Sequence, residues 1–469
     1  MLSIMLKSKS FKIEYLLYLF ILISPILDAS SCLLNTYVPN LSISPTMIIR
    51  SIIPLILLGY IFFKEEDYRI PLILSAFVYI FYGAIHLLIT NHLLTGISYG
   101  TIFEEASYVV NYTYNIYLLL ILFYFYKKGR LKDLNKYLFI MLIIYMGIIY
   151  FSIFTKTSFT TYLEGMGYRS YFLSGNSIST VLILLFSNLI TRLNDDFVSK
   201  QFEGLVMFIL LGIYLIFLVG TRTGMLGFIL VLLVYIIASI VIKFIKSKKI
   251  NKKAIMWSIG IFAIIAILIG SVGSETLNRR VHITKESNGI VDINTNSIGH
   301  TTGDTSVIVW QINHNELPEG YMSDAQKNAY LDMYEYANKH ELDANNNRKQ
   351  QLIYNYMLVK NQRSIIYKLF GNGRSVNYGE MILEMELPAL LLNFGILGFI
   401  LYVLPFIGLV IYSIKKTYIG YVDISYVMNM FGIILAIGLS FMAGYVLFSS
   451  TCTLILSIML CKLHKEGLE

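Results

Sequence analysis

Apolar residues form about a dozen long stretches along this chain, and one polar segment, near residues 273–380, interrupts them. A helix of about 20 apolar residues is long enough to cross the hydrocarbon core of a bilayer. The pattern therefore predicts an all-α polytopic membrane protein with twelve transmembrane helices and one large loop. The predicted membrane helices lie near residues 13–30, 47–63, 70–90, 104–126, 134–154, 175–193, 203–220, 223–243, 254–272, 394–414, 424–446 and 449–463.

The composition agrees with a membrane protein. Hydrophobic residues make up 56% of the chain and charged residues only 14%, which is more apolar than a soluble domain requires. The first apolar run lacks a small-residue cleavage site, so we expect it to remain as a helix rather than to be removed as a signal peptide. We therefore divide the chain into membrane helices one to nine (1–272), an extracytoplasmic loop (273–380) and membrane helices ten to twelve (381–469).

The distribution of positive charge predicts the orientation in the membrane. Lysines precede the first helix, and the short segments 127–136 and 246–253 are rich in lysine and arginine, whereas the short segments 31–44 and 91–100 carry neither. Positive residues concentrate in cytoplasmic loops. Twelve crossings satisfy every loop, so both termini are expected in the cytoplasm and the large loop outside, in a multi-pass cell (cytoplasmic or inner) membrane protein.

The large loop contains helical sequence. Residues 323–370 have two amphipathic patterns broken at 343–347, and Tyr330, Tyr334 and the pair Ile353/Tyr356 recur at helical spacing. Residues 283–322 are rich in Asn, Gly, Ser and Thr and are expected to be mobile.

The chain carries no sequence signature of a cofactor. It has neither a Walker motif nor a dinucleotide-binding glycine motif, so neither ATP nor NAD is expected to bind. Its three cysteines lack metal-ligand spacing, and the topology allows one disulfide, Cys32–Cys452. The net charge of +8 does not indicate nucleic-acid binding, because the positive residues lie beside the membrane.

Arg222 stands out among the charges at the outer ends of the helices. A charge at membrane depth costs at least about 2.5–3.5 kcal/mol, so such residues usually face a cavity or a partner. Arg222 lies between helices seven and eight, beside the small residues Gly220, Thr221, Thr223 and Gly224. These leave room for a bulky anion, and the free amides that open helix eight add positive potential. An arginine that snorkels to the lipid headgroups is an equally good interpretation.

Other outer residues point to the same chemistry. Arg169 precedes helix six and Asn176 lies one turn inside it, Arg348 lies in the loop, and Arg374 lies in the glycine turn 370–375. The arginine fork matches phosphate oxygens bidentately, which suggests a lipid-linked phosphate or diphosphate substrate. Each residue also has a plainer interpretation: an interfacial arginine, an asparagine that bridges helices, or a solvated loop arginine.

Two pairs of carboxylates complete the set. Glu384 and Glu386 precede helix ten, and residues two apart lie on different faces of a helix, so different partners are expected. A carboxylate tuned by burial and by arginines suits a general base; the alternative is a pair of salt-bridge anchors. Glu104 and Glu105, at the outer end of helix four, are further candidates, and their plainer interpretation is that they pair with Arg169 or Arg222.

Four stretches resemble the O-antigen ligase and Wzy-type polysaccharide polymerase superfamily. They are GYRSYFLSGNSIST (167–180), VGTRTGMLG (219–227), the loop arginine with the helix and Gly-x-Gly turn that follow it (345–373), and EMELPALLLNFGILGF (384–399). The last resembles the family's segment ending in Gly-x-x-Gly, here Gly395 and Gly398. In the ligase branch a histidine stands eleven residues before the first of these glycines. Here that position is Glu384, and a glutamate followed two residues later by an acidic residue resembles the polymerases of Gram-positive bacteria, which weakens the ligase interpretation.

The resemblance implies a GT-C-like helix bundle that catalyses metal-independent, inverting glycosyl transfer at the outer membrane face. The donor is an undecaprenyl diphosphate-linked glycan, and the acceptor is a hydroxyl of a second lipid-linked repeat unit. This is a polymerase reaction of O-antigen, capsule or exopolysaccharide biosynthesis. Glu384 would remove the acceptor proton, and Glu386 would orient it or an arginine. Arg222 would serve in catalysis and binding. The other expected substrate-binding residues are Arg169, Asn176, Arg348 and Arg374.

Alternative functions remain open at this stage. A ligase would pass the glycan to another acceptor, such as lipid A core, a wall polymer or a protein. A lipid-linked oligosaccharide flippase would be expected to show two related halves and no large outer loop, and a receptor would not account for the order of the motifs. Membrane lipid and a polysaccharide chain-length regulator are the further partners that we consider, and no nucleic acid is expected.

Overall fold

The computed structural model describes most of the chain outside the stretch 248–301. The described residues are 12–38, 45–98, 100–162, 166–194, 198–247, 302–340, 347–362, 364–377, 381–416, 422–442 and 446–466. The predicted ninth membrane helix, 254–272, lies outside them.

Ten described helices are long and apolar enough to cross a membrane, and this confirms the all-α polytopic fold. An eleventh apolar helix, α16, is shorter. These helices are α1 (Glu14–Tyr37), α2 (Pro45–Lys64), α3 (Glu66–Leu94), α4 (Ile102–Lys127), α5 (Leu134–Phe154), α6 (Gly175–Leu189), α7 (Val198–Gly212), α8 (Arg222–Ser247), α14 (Gly395–Lys416), α15 (Ile424–Met442) and α16 (Ser450–Glu466). A 3₁₀ turn, Ile190–Asn194, prolongs α6, and a π-helix, Ile213–Leu218, prolongs α7.

The helices differ in how they use their apolar residues. Helix α6 is the centre of the bundle, since 78% of the residues in its apolar 18-residue stretch are buried. In helix α3 only 22% of the residues in the corresponding stretch are buried, and side chains such as Phe77, Ile80 and Leu88 are exposed. An all-round apolar helix with one exposed face is typical of a span that contacts lipid on that face.

The described part of the polar segment and the short helix after it form a small helical layer over one end of the bundle. The helices of this layer are α9 (Thr302–Asn313), α10 (Asp324–Lys339), α11 (Asn347–Asn361), α12 (Ile365–Phe370) and α13 (Glu386–Asn393). Residues of α9 to α11, including Ile308, Tyr330 and Tyr354, form a hydrophobic core separate from that of the bundle. We call the end of the bundle beneath this layer the outer end and the opposite end the inner end.

The structure adds three details to the sequence analysis. Residues 302–313, within the stretch that was expected to be mobile, form helix α9. On α11 the buried positions are Tyr354 and Leu358, whereas Tyr356 is exposed. All three cysteines are free, so the Cys32–Cys452 disulfide is absent.

A short hairpin lies between α5 and α6 at the outer end. Strand β1 (Phe159–Thr160) pairs antiparallel with β2 (Tyr168–Ser170), with Phe159 opposite Ser170. The Ser170 side chain accepts a hydrogen bond from Ser152 of α5 at 2.8 Å, which fixes the hairpin to the bundle.

Candidate functional site

The hairpin, the start of α6 and the turn before α8 pack together at the outer end. Thr161 Oγ1 donates a 2.8 Å hydrogen bond to the Val219 carbonyl, and the hydroxyls of Ser179 and Thr221 lie 2.8 Å apart. Gly167 approaches so closely that a Cβ there would lie 2.5 Å from the Val219 oxygen. Three separate sequence segments are therefore held in one place, and we call Arg169, Asn176 and Arg222 the hairpin cluster.

Two helix N-termini converge in this cluster. Ser174 caps α6 by accepting from the amide of Ser177 at 3.1 Å, and Thr221 accepts from the amide of Gly224 in the first turn of α8. Asn176 is the second residue of α6, and Arg222 is the first of α8. Free amides and aligned peptide dipoles at both helix starts give this region a positive potential that favours an anion.

The arginines of the hairpin cluster have no carboxylate partner among the described residues. Arg222 is exposed, and Arg169 donates to the Leu173 carbonyl while its guanidinium lies 5.7 Å from the centre of the Phe159 ring. The buried Nε of Arg169 has no hydrogen-bond partner among the described residues. Across the same part of the chain, no carboxylate forms an ion pair with either arginine.

A second group lies where the outer layer returns to the bundle, and we call Arg348, Arg374, Glu384 and Glu386 the carboxylate cluster. Glu384 Oε2 accepts a 3.1 Å charged hydrogen bond from Arg348 Nε. Both side chains are about half exposed, at 51% for Glu384 and 41% for Arg348. Glu384 precedes α13 and points to solvent, so it can reach a ligand.

Glu386 has the opposite environment. It is fully buried, and its carboxylate accepts hydrogen bonds from the amides of Val446, Leu447 and Phe448 at 2.7, 2.8 and 2.5 Å. The Tyr112 hydroxyl adds a fourth contact at 3.3 Å. Burial raises the pKa of the Glu386 carboxyl to about 7, and the backbone bonds oppose that rise. Glu386 therefore fixes the turn that precedes α16.

Arg374 stacks against that same turn. Its guanidinium lies 4.6 Å from the centre of the Tyr108 ring and 5.9 Å from that of Phe448. Such cation–π contacts hold an arginine in place without neutralising its charge. Glu386 therefore contributes to the placement of Arg374, because it holds Phe448.

A buried His86–Glu105 pair anchors the glycine turn that carries Arg374. His86 Nδ1 lies 2.7 Å from the Phe370 carbonyl, which can only accept, so Nδ1 carries the proton. His86 Nε2 lies 2.7 Å from Glu105, whose other oxygen accepts from the Ser375 amide. The pair thus bonds to both ends of the segment 370–375.

The expected pairing of Glu104 and Glu105 with Arg169 or Arg222 is wrong. Glu105 is bonded to His86 and to the Ser375 amide. Glu104 is exposed and accepts a hydrogen bond from the Tyr108 hydroxyl at 3.2 Å. The sequence contained a signal that we did not use, since His86 is a polar residue within the predicted third membrane helix.

Two glycines bring the outer layer onto α14. Gly371 and Gly395 both have positive φ, 80° and 71°, and a Cβ at Gly371 would lie 2.0 Å from the Asn393 oxygen. Only glycine permits this backbone conformation and this approach. The Gly-x-Gly turn and the Gly-x-x-Gly segment are therefore in direct contact.

Sequence reasoning also missed a polar group among the outer halves of α1, α2 and α5. Asp28 forms an ion pair with Arg50, accepts from the Tyr145 hydroxyl, and accepts from Thr451 of α16 at 2.9 Å. Charged residues inside the first two predicted membrane helices were the available signal. This group holds the start of α16 through Thr451, whereas Glu386 holds the turn before it.

The hairpin and carboxylate clusters are neighbours rather than one contact network. Helix α15 packs against α6 and α8, which carry the hairpin cluster, and against α13 of the carboxylate cluster. No hydrogen bond or ion pair within the described ranges joins Arg169 or Arg222 to Glu384. The roles expected for the individual site residues stay predictions.

Comparison with known proteins identifies the family. The family profile described as "O-antigen ligase like membrane protein" matches residues 10–466, which is nearly the whole chain. A search of curated proteins gave no match. The resemblance drawn from the four motifs is thus confirmed: the chain belongs to the O-antigen ligase-like family of membrane proteins, whose members are ligase- or polymerase-type enzymes.

Proposed function

We propose that this protein is an oligosaccharide repeat-unit polymerase. It transfers a glycan from undecaprenyl diphosphate to the non-reducing-end hydroxyl of a second lipid-linked repeat unit, at the outer face of the cytoplasmic membrane. The sugar–phosphate bond of the donor breaks, the new glycosidic bond forms with inversion, and undecaprenyl diphosphate leaves. The convergence of two arginines and two helix N-termini in the hairpin cluster is the observation that carries this proposal.

The hairpin cluster supplies the donor site. A lipid diphosphate brings about two to three negative charges, and the leaving group gains charge as the glycosidic bond breaks. Arg169 and Arg222, together with the amides at the starts of α6 and α8, stabilise that charge in place of a metal ion. Asn176, in the first turn of α6, offers an amide that hydrogen-bonds to a phosphate or sugar oxygen.

Glu384 is the proposed base. It is the exposed carboxylate of its cluster, so it can reach an acceptor hydroxyl, take its proton and leave the oxygen free to attack. Arg348, bonded to Glu384 at 3.1 Å, orients the carboxylate and faces the substrate. Arg374, held against the Tyr108 and Phe448 rings, is the further proposed ligand of glycan or phosphate. Glu386 acts as a positioning residue, since backbone amides occupy both of its oxygens.

A ligase reaction is the second candidate, and the description of the matching family favours it. The chemistry at the donor is the same, and only the acceptor differs. Glu384, at the position where the ligase branch carries histidine, supports the polymerase.

The decisive experiment supplies the purified protein with a lipid-linked repeat unit as the only glycan. A polymerase produces a ladder of lipid-linked oligomers and releases undecaprenyl diphosphate, both measurable by mass spectrometry. A ligase leaves the repeat unit unchanged until a different acceptor is added, and this result would replace the polymerase proposal. Absence of diphosphate release with any acceptor would overturn glycosyl transfer from this donor.

The orientation has its own test. In a background that lacks Cys32, Cys452 and Cys461, a cysteine at exposed Glu335 in α10 should react with a membrane-impermeant maleimide on intact cells. A cysteine at exposed Lys64, at the inner end of α2, should react only after permeabilisation. The reverse pattern would place the candidate site in the cytoplasm and would remove the proposed substrate.

A further inference from the structure

The inner end of the bundle contains a cavity that the proposed function does not use. It measures about 980 Å³, within the range of known ligand clefts, which span roughly 300–1,000 Å³. Its walls come from the α4–α5 connection, the 3₁₀ turn after α6, the start of α7 and the end of α16. These elements lie at the opposite ends of the helices that form the candidate glycosyl-transfer site.

Five cations line this cavity, and two carboxylates accompany them, which leaves a net charge of +3. The cations are Lys132, Lys136, Arg192, Lys200 and Lys462. The carboxylates are Asp133 and Glu203. A concave surface with this excess of positive charge concentrates anions from solution or from a membrane surface.

Two of the cations are built into the protein. Arg192 is 9% exposed and Lys462 is 7% exposed. Lys462 Nζ donates to Asn188 Oδ1 at 2.7 Å, and Arg192 donates to the Asn135 carbonyl at 2.9 Å while its guanidinium lies 4.6 Å from the Phe139 ring centre. Arg192 also forms an ion pair with Glu203, so both buried cations are held in fixed positions in the cavity wall.

The start of α5 adds to the positive potential. Asp133 precedes the helix but its side chain caps no amide, so the first amides of α5 keep their partial charge in the cavity wall. The wall also includes apolar side chains, among them Leu131, Phe139 and Ile140. A ligand with a charged head and an apolar body matches this combination better than a purely hydrophilic anion.

We propose that this inner cavity binds a phosphate group, that of an anionic phospholipid headgroup. Basic pockets between membrane helices on the cytoplasmic side are typical sites for such headgroups. Lys132, Lys136 and Lys200 contact the phosphate from the rim, and Arg192 and Lys462 add positive charge from the bundle side. The lipid glycerol and first acyl carbons lie against the apolar wall.

The test measures lipid binding to the full-length protein and needs no glycosyl transfer. Purified protein in phosphatidylcholine nanodiscs receives increasing fractions of phosphatidylglycerol, and thermal stability reports binding, since a ligand of the folded state raises Tm. We expect Tm to rise with phosphatidylglycerol, and no comparable rise in pure phosphatidylcholine with millimolar inorganic phosphate. A rise with inorganic phosphate alone would assign the cavity to a soluble anion and overturn the lipid proposal.

Variants locate the effect. The exposed lysines at the rim can be changed while the buried cations stay in place. Lys132→Ala combined with Lys200→Ala should weaken phosphatidylglycerol binding roughly 25-fold, about fivefold for each lysine. The matched control, Lys64→Ala with Lys415→Ala, removes two exposed lysines from the same end of the bundle but outside the cavity. The control should bind as the unmodified protein does. Equal binding by both double variants, or equal loss in both, would overturn the proposal.

Discussion

The hairpin cluster and the carboxylate cluster lie at the same end of the bundle, but their charged side chains differ in how many partners the protein gives them. Arg222 is exposed without a carboxylate partner in the described chain, and Arg169 keeps a buried Nε without an acceptor there. Glu386 in the other cluster accepts three backbone amides and a tyrosine hydroxyl. The buried carboxylate with four hydrogen bonds holds structure, and the two arginines without a described carboxylate partner are available to a substrate.

The same contrast divides the two glutamates that stand two residues apart. Glu384 shares one hydrogen bond with Arg348 and is half exposed, whereas Glu386 is fully buried. Their sequence context is nearly identical. Environment, rather than residue type, therefore separates a proposed catalytic group from a positioning group.

Glu384→Gln should have the largest effect on activity. Glutamine keeps the shape but cannot take a proton, and general-base assistance is worth about 10²–10⁴-fold in rate. We expect polymer to be lost nearly completely and single lipid-linked repeats to accumulate, while the amount of folded protein in the membrane stays near normal. Gel analysis of polymer length and quantification of membrane protein on the same samples check both statements.

The control for this variant is Glu335→Gln, a neutralised glutamate exposed on α10 of the same layer. It should leave polymer unchanged. Normal polymer from Glu384→Gln would end its role as base and would leave the hairpin cluster as the main support for the mechanism.

Arg222→Lys should have the next largest effect on activity. Lysine keeps the charge but loses the bidentate fork, and removal of one well-placed donor to a developing charge costs about 10²–10³-fold in rate. Initial rates of diphosphate release measure this loss. Arg69→Lys, at the inner end, is the matched change and should remain within about twofold of normal. Near-normal rates from Arg222→Lys would favour an arginine that only snorkels to headgroups.

Glu386→Gln should reduce folded protein rather than catalysis. The glutamine amide presents an N–H₂ group to backbone amides that need an acceptor, and one unsatisfied buried donor costs about 1–3 kcal/mol. We expect less protein in the membrane and a lower Tm after purification, with activity per folded molecule within a few-fold of normal. A large loss of specific activity at unchanged Tm would instead make Glu386 a catalytic group.

Glu104→Gln should have the smallest effect. Glu104 is exposed, and its side chain contacts the Tyr108 hydroxyl at 3.2 Å; substitutions at such surface positions usually change stability by less than about 0.5 kcal/mol. Polymer and Tm should both stay near normal. Its buried neighbour gives the contrast, because Glu105→Gln disturbs the bonds to His86 and Ser375 and should lower Tm clearly. Equal effects at both positions would contradict the distinction between satisfied and available charges.

Much of the architecture followed from the sequence. Apolar run length predicted twelve membrane helices, and ten of them match long described helices whose ends differ from the predicted ones by up to about seven residues. The agreement arises because a lipid environment leaves a long apolar segment few alternatives to a helix. The final span, predicted at 449–463, is observed as Ser450–Glu466. The four motifs gave the family, since they combine residue type, order and spacing.

The contacts between distant segments could not be predicted in this way. Nothing in the local pattern links Glu386 to the amides of residues 446–448, or His86 to both ends of the segment 370–375. The separations in sequence, 60 residues for Glu386 and Val446 and 284 for His86 and Phe370, exceed the range of any periodicity argument. Helix α9 was missed because polar residues dominate its first turn.

The sequence by itself determined that this chain is a multi-pass membrane protein with a polar outer segment and a family-typical set of arginines and glutamates. Only the tertiary structure decided which of these charges are satisfied by the protein and which stay available. The physical reason is that helix formation depends on local residues and on the surrounding medium, whereas the environment of a charge depends on which distant backbone and side-chain groups are packed beside it.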